Sequence, residues 1–71
     1  MSAAHLAKMA NDIAAFFASY PDAEQAAADT AAHLRKFWAP ALRAQLIAHV
    51  GEHPADLAPI ARRAVNLLQA K

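Results

Sequence analysis

Four His, seven Lys or Arg and six Asp or Glu are the groups able to do chemistry in this 71-residue sequence. Two stretches concentrate them. His49-Val50-Gly51-Glu52-His53 carries the letters H-x-x-E-H, in which two His hold zinc and the Glu acts as base. That chemistry needs both His on one face of a continuous helix and a third ligand. Gly51 and Pro54 argue against a continuous helix, and the chain is too small to build a substrate cleft around a metal. Two surface His near a helix end is the better reading, and no metal ligand is assigned. The second stretch, His33-Leu34-Arg35-Lys36-Phe37-Trp38-Ala39-Pro40, holds the only Trp, a His, two cations and a Pro. Its chemistry is recognition. Trp and Arg are enriched at interface hot spots, and Trp buries a large area while its N–H still needs a partner. The plainer alternative is that Trp38 plugs the core and that Arg35 and Lys36 complement the negative end of a helix.

The remaining chemistry is sparse. Ser2 and Ser19 sit near helix ends and the carboxylates are scattered, so neither a nucleophile with its base nor a paired-carboxylate site has support. His5 and His33 offer no ligand spacing. There is no phosphate-cradling Gly-rich loop, and no catalytic residue is assigned.

The elements that position these groups are helices. Leu6, Met9, Ile13, Phe16, Phe17 and Tyr20 follow three-and-four spacing and predict a first helix over about 3–19, stopped by Pro21. Phe16 and Phe17 cannot both point straight inward, so one could face a partner, but the simpler expectation is that both are core. Asp22 with Gln25 three residues on reads as a capping-box variant opening a second helix over about 22–38. Its stripe is Ala23, Ala26, Ala27, Thr30, Ala31, Leu34, Phe37 and Trp38, small enough at its start for a neighbour to pack close. Pro40 suits the first turn of a third helix, about 40–50, because its missing N–H is unpaired there anyway. Leu42, Leu46, Ile47 and Val50 form that helix's apolar face, with Arg43, Gln45 and His49 mostly outside it. Gly51, the only Gly, sits where a left-handed C-terminal cap is expected. After a loop over 51–58, a fourth helix over about 59–69 buries Ile60, Ala64, Val65, Leu67 and Leu68. Arg62, Arg63 and Lys71 are expected to be solvated.

Composition agrees. Twenty-two residues are Ala, the best helix former, and β-formers are scarce, which argues for an all-α bundle of three to four short helices in a single domain, 1–71. Stability from so thin a core is modest, about 3–5 kcal/mol, and a partner or a second copy could add to it. The absence of Cys excludes disulfides and thiolate metal sites and fits a reducing cytoplasm. A net charge of +1 is too balanced for a non-specific nucleic-acid binder. The start of the third helix offers only Arg43 as a base reader, which argues against a helix-turn-helix. No apolar run is long enough to span a bilayer, and the N-terminal residues do not read as a secretory signal.

The stretch from His33 to Arg43, His-Leu-Arg-Lys-Phe-Trp-Ala-Pro-Ala-Leu-Arg, resembles the hallmark segment of the delta subunit of bacterial NAD-dependent, molybdenum-containing formate dehydrogenases. Met9-Ala10-Asn11-Asp12-Ile13-Ala14-Ala15-Phe16-Phe17 is similar to that family's other recurring segment. His49 and the residues from Leu57 to Val65 fit as well, so the likeness runs from about Leu6 to Leu68. Many members carry an acidic residue before the Pro, where this chain has Ala39.

The resemblance implies a small, non-catalytic accessory subunit of a cytoplasmic complex. That complex oxidises formate and passes electrons through iron–sulfur clusters and FMN to NAD. The molybdenum cofactor and those centres belong to the partner subunits, and this chain is expected to bind no cofactor itself. Its expected role is assembly, including insertion or retention of the molybdenum cofactor in the catalytic (alpha) subunit. The expected interaction residues are His33, Arg35, Lys36, Phe37, Trp38, Pro40 and Arg43, with Trp38 and Phe37 as anchors and the charged groups setting orientation. Two alternatives stand beside protein docking. The corner could bind the cofactor's pyrophosphate through Arg and Lys. The chain could also be a free-standing helical homodimer or adaptor, paired about a two-fold axis.

Overall fold

A computed structural model describes residues 2–69; Lys71 lies outside them. Among the described residues there are four α-helices, α1 (Ala3–Phe17), α2 (Ala23–Phe37), α3 (Pro40–Glu52) and α4 (Pro59–Gln69), with a 3-10 turn at Pro54–Asp56 and no strand. The bundle is all-α, as the Ala content requires.

Of the predicted start signals Asp22 and Pro40 take their places, and Ser2 adds a cap that the sequence reading did not name. The Ser2 hydroxyl accepts the His5 N–H at 3.1 Å and opens α1. The Asp22 carboxylate accepts the Glu24 N–H at 3.0 Å and opens α2. Gln25 does not close the expected box; its amide donates to Asp29 at 2.9 Å one turn ahead. Pro40 occupies the first turn of α3, whose N-cap, Ala39, has no side chain able to cap it.

The core is thinner than the large residues alone suggest. Leu6, Leu34, Leu46, Leu57 and Val65 are its fully buried bulky apolar side chains, and around them Ala7, Ala10, Ala14, Ala26, Ala27, Ala31, Ala61 and Ala64 are buried as well. The most extensive helix pairing is α2 with α4. Small side chains on both partners let the axes close up, since interaxial distance follows side-chain size at the contact. Buried Thr30 satisfies its hydroxyl by donating to Ala26 O at 2.8 Å.

Two expectations are corrected. Phe16 is not core: it is 75% exposed, while Phe17 is half-buried. The inner row of α1 is Leu6, Ala7, Ala10 and Ala14, because close packing is made by Ala, and this rotates Phe16 outward. Gly51 is not a left-handed cap. No residue among those described has that conformation, and α3 runs through Gly51 to Glu52, with His53 as its cap. The two His of the H-x-x-E-H letters therefore do share a helix end, contrary to the argument from Gly51.

Candidate functional site

The α2–α3 corner is built from its own residues. Pro40 starts α3 after two intervening residues, Trp38 and Ala39, and the turn leaves the Arg35 and Trp38 carbonyls without helical partners, while the Leu34 carbonyl keeps the Trp38 N–H at 3.0 Å. The Arg43 guanidinium fills that gap. Its Nη1 donates to Trp38 O at 2.6 Å, to Arg35 O at 3.1 Å and to Leu34 O at 3.4 Å. Arg35 reaches the other way and donates to Leu67 O in α4 at 2.7 Å. Trp38 is 9% exposed and packs with Leu6, Leu34, Leu46 and Leu57. Of the expected interaction residues, Trp38, Pro40 and Arg43 thus build the corner. Trp38 spends its large area inside the chain and does not project as an anchor.

Phe37 does project. It is 65% exposed, with the Lys36 ammonium 5.5 Å from its ring centroid and the His33 ring at 4.7 Å. His33 in turn meets Phe17 at 6.5 Å between centroids. Phe17 contacts Phe16 edge-on at 5.2 Å and Tyr20 at 5.7 Å. An aromatic ledge therefore runs from the end of α1 across to the end of α2. Between the two helices lies an open, mostly apolar notch of about 320 Å³ lined by Asp12, Ile13, Phe16, Phe17 and His33. The expected interaction residues His33, Lys36 and Phe37 lie on the α2 side of this face, and the α1 side was named only as the less simple alternative for Phe16 and Phe17. The signal was present in adjacent Phe16 and Phe17, which one helix cannot bury together.

A residue that sequence reading missed is Asn11, read as lying off the apolar stripe. Its Nδ2 donates to Asp56 O at 2.8 Å and its Oδ1 accepts the Ala58 N–H at 2.9 Å. One side chain thus ties α1 to the loop that launches α4 and sets Leu57 into the core. His49 is also not a surface His. Its side chain is 13% exposed and Nε2 lies 2.7 Å from the Asp56 carboxylate, with the His53 ring 4.9 Å away. This cluster braces the same loop from the α3 side. Among the described residues no three His, Cys, Asp or Glu are placed to hold a metal ion.

Glu24 and Arg63 form a two-pronged pair between α2 and α4, with Nε to Oε1 and Nη2 to Oε2 both at 2.9 Å. The hydrogen bond from Arg63 holds the Glu24 carboxyl below the usual range, and the same bond raises Arg63.

Against known proteins, the family described as NADH-dependent formate dehydrogenase delta subunit, FdsD, matches residues 5–65. No curated protein and no solved structure matches. The matched span contains the aromatic ledge, the corner and the Asn11 clamp.

Proposed function

The chain belongs to the NADH-dependent formate dehydrogenase delta subunit family, and from that premise we propose that it is a non-catalytic accessory subunit docking on the molybdenum-containing catalytic subunit. Membership makes other subunits of a formate dehydrogenase complex its partners. In this reading the chain supports assembly of the catalytic subunit, including insertion or retention of its molybdenum cofactor. Formate oxidation and electron passage through iron–sulfur clusters and FMN to NAD belong to the larger subunits. The absence of Cys agrees with that division, since iron–sulfur clusters are held by thiolates. A cytoplasmic complex is the matching location; among the described residues no helix is long and apolar enough to cross a membrane.

The observation that carries the reading is the convergence of the two resembling segments. Met9–Phe17 supplies Phe16 and Phe17, and His33–Arg43 supplies His33, Lys36 and Phe37, and together they make one outward aromatic face. Contiguous exposed apolar surface on a small domain marks an interaction site. His33, Lys36 and Phe37 give this face its contacts and charge, Trp38, Pro40 and Arg43 hold it in shape, and Arg35 ties the end of α2 to α4.

The test is affinity capture of the tagged chain from its native cytoplasm, with molybdenum measured in the catalytic subunit made with and without it. Co-recovery of that subunit, and a fall in its molybdenum content when the chain is missing, are expected. Recovery of only a second copy of the chain, or unchanged molybdenum content together with no co-recovery, would overturn the reading.

A further inference from the structure

One side of α2 carries opposite charges in a fixed order. Asp29, His33, Lys36 and Phe37 stand at i, i+4, i+7 and i+8, the spacing of a single helix face. The contacts of His33 with Phe17 and of Phe37 with His33 make this the face that continues the aromatic ledge. Asp29 is half-buried and accepts the Gln25 amide at 2.9 Å. Lys36 is exposed, with its ammonium 5.5 Å from the Phe37 ring centroid. Neither belongs to an ion pair among the described residues, whereas Asp12 is held by Lys8 and Glu24 by Arg63. Arg35 is committed to the Leu67 carbonyl of α4. Asp29 and Lys36 are thus opposite charges left open beside the exposed rings of Phe16 and Phe37.

We infer that this face pairs with a second copy of the chain, α2 antiparallel to α2, with an Asp29–Lys36 ion pair at each end and the exposed phenylalanines between. The order of charge is what selects the occupant. A two-fold axis crossing α2 between Ala32 and His33 lies midway from Asp29 to Lys36, and it sets Asp29 of each copy against Lys36 of the other. An isologous interface is self-complementary in this way. A wholly acidic partner would meet Asp29 and a wholly basic one would meet Lys36, and juxtaposed like charges disfavour a partner. The same sequence turned about the axis presents both signs in the reverse order, so each charge finds its opposite. Closing over Phe16 and Phe37 also removes from water the apolar surface that the folded chain leaves open. The inference goes beyond the accessory-subunit reading, because it concerns the chain apart from its larger partners. Self-pairing adds stability to a thin core by mass action, and it makes a second copy and the catalytic subunit alternatives for one face.

The experiment is analytical ultracentrifugation of the full chain over a dilution series, with circular dichroism to show that each variant folds. It uses the wild type, Asp29→Lys, Lys36→Glu, the chain carrying both reversals, and Arg62→Ala as a variant on the exposed side of α4. The wild type is expected to dimerise. Each single reversal places like charges at both ends of the interface and should weaken the dimer about tenfold, less at high salt where the charges are screened. The doubly reversed chain, and an equal mixture of the two single variants, should regain the wild-type affinity, because each then sets opposite charges together again. Arg62→Ala should dimerise as the wild type does. If a reversal unfolds its chain, Asp29→Asn and Lys36→Gln take its place, each expected to weaken the dimer by less than a reversal. A wild type that stays monomeric, a dimer that neither substitution weakens, or weakening that neither the mixture nor the double reversal repairs would overturn this pairing. A monomeric chain that still captures the catalytic subunit would overturn it while leaving the accessory-subunit reading intact. A repaired dimer that captures no catalytic subunit would do the opposite.

Discussion

At the scale of single residues, the side chains with the most polar work are ones whose type gives little warning. Asn11 makes one donated and one accepted bond to the backbone on either side of Leu57. An Asn on the polar side of a helix looks solvated from sequence, because periodicity reports burial and says nothing of a loop arriving from 45 residues away. Asn11→Ala removes both bonds and leaves the Ala58 N–H and Asp56 carbonyl to find water. Net loss per bond is about 0.5–1.5 kcal/mol, so urea unfolding should show a loss of about 1–3 kcal/mol. An Asn11→Ala chain as stable as the wild type would mean that the loop holds itself. Arg43 is the parallel case at the corner. Its type suggested an orienting charge for a partner, and its guanidinium instead closes the end of α2.

At the scale of elements, caps and pairings are legible to different degrees. Asp22 and Pro40 were readable because capping is local, set by a side chain within three residues of the groups it serves. Gly51 misled for the same reason. A lone Gly after an apolar stripe suggests a left-handed cap, yet tertiary packing through Leu46, Ile47 and Val50 carries α3 past it. A Cβ added at Gly51 meets nothing within 4 Å, and its backbone is helical. Gly51→Ala is therefore expected to raise stability by about 0.4–1 kcal/mol, seen as a higher Tm; a lower Tm would restore the cap. The α2–α4 pairing carries a pH signature. The folded-state carboxyl of Glu24 is held below its ordinary range by the Arg63 hydrogen bond. A lowered folded-state value stabilises above the unfolded value, and the contribution is lost as pH falls through the folded one. The pair is exposed, so the effect is small. The Tm of wild type should exceed that of Glu24→Gln near neutrality, and the difference should close in strong acid. A difference independent of pH would assign the contribution of Glu24 to packing.

At the scale of the whole molecule, a 71-residue chain rests on few large side chains. Trp38 joins α1, α2, α3 and the Leu57 loop in one cluster. Trp→Ala in a core costs about 3–5 kcal/mol, comparable with the whole stability available to a domain of this size. Trp38→Ala should thus lose most of its helical circular dichroism in isolation. If the accessory-subunit reading holds, excess catalytic subunit should restore it in part, because a partner that binds only the folded form pulls the equilibrium back. Retained helicity without partner would move Trp38 out of the core and back to the surface role its residue type first suggested.

Sequence alone determined the four helices, their starts, the all-α class and the family, since each of these is written in local spacing, in residue type or in contiguous segments. Tertiary structure decided which way the helices turn. With Ala filling most of the inner rows, few large side chains mark the buried face, and helix-on-helix approach sends Trp38 inward and Phe16 and Phe37 outward. The surface this chain offers to a partner is the remainder of that choice, so it became visible only once the helices were packed.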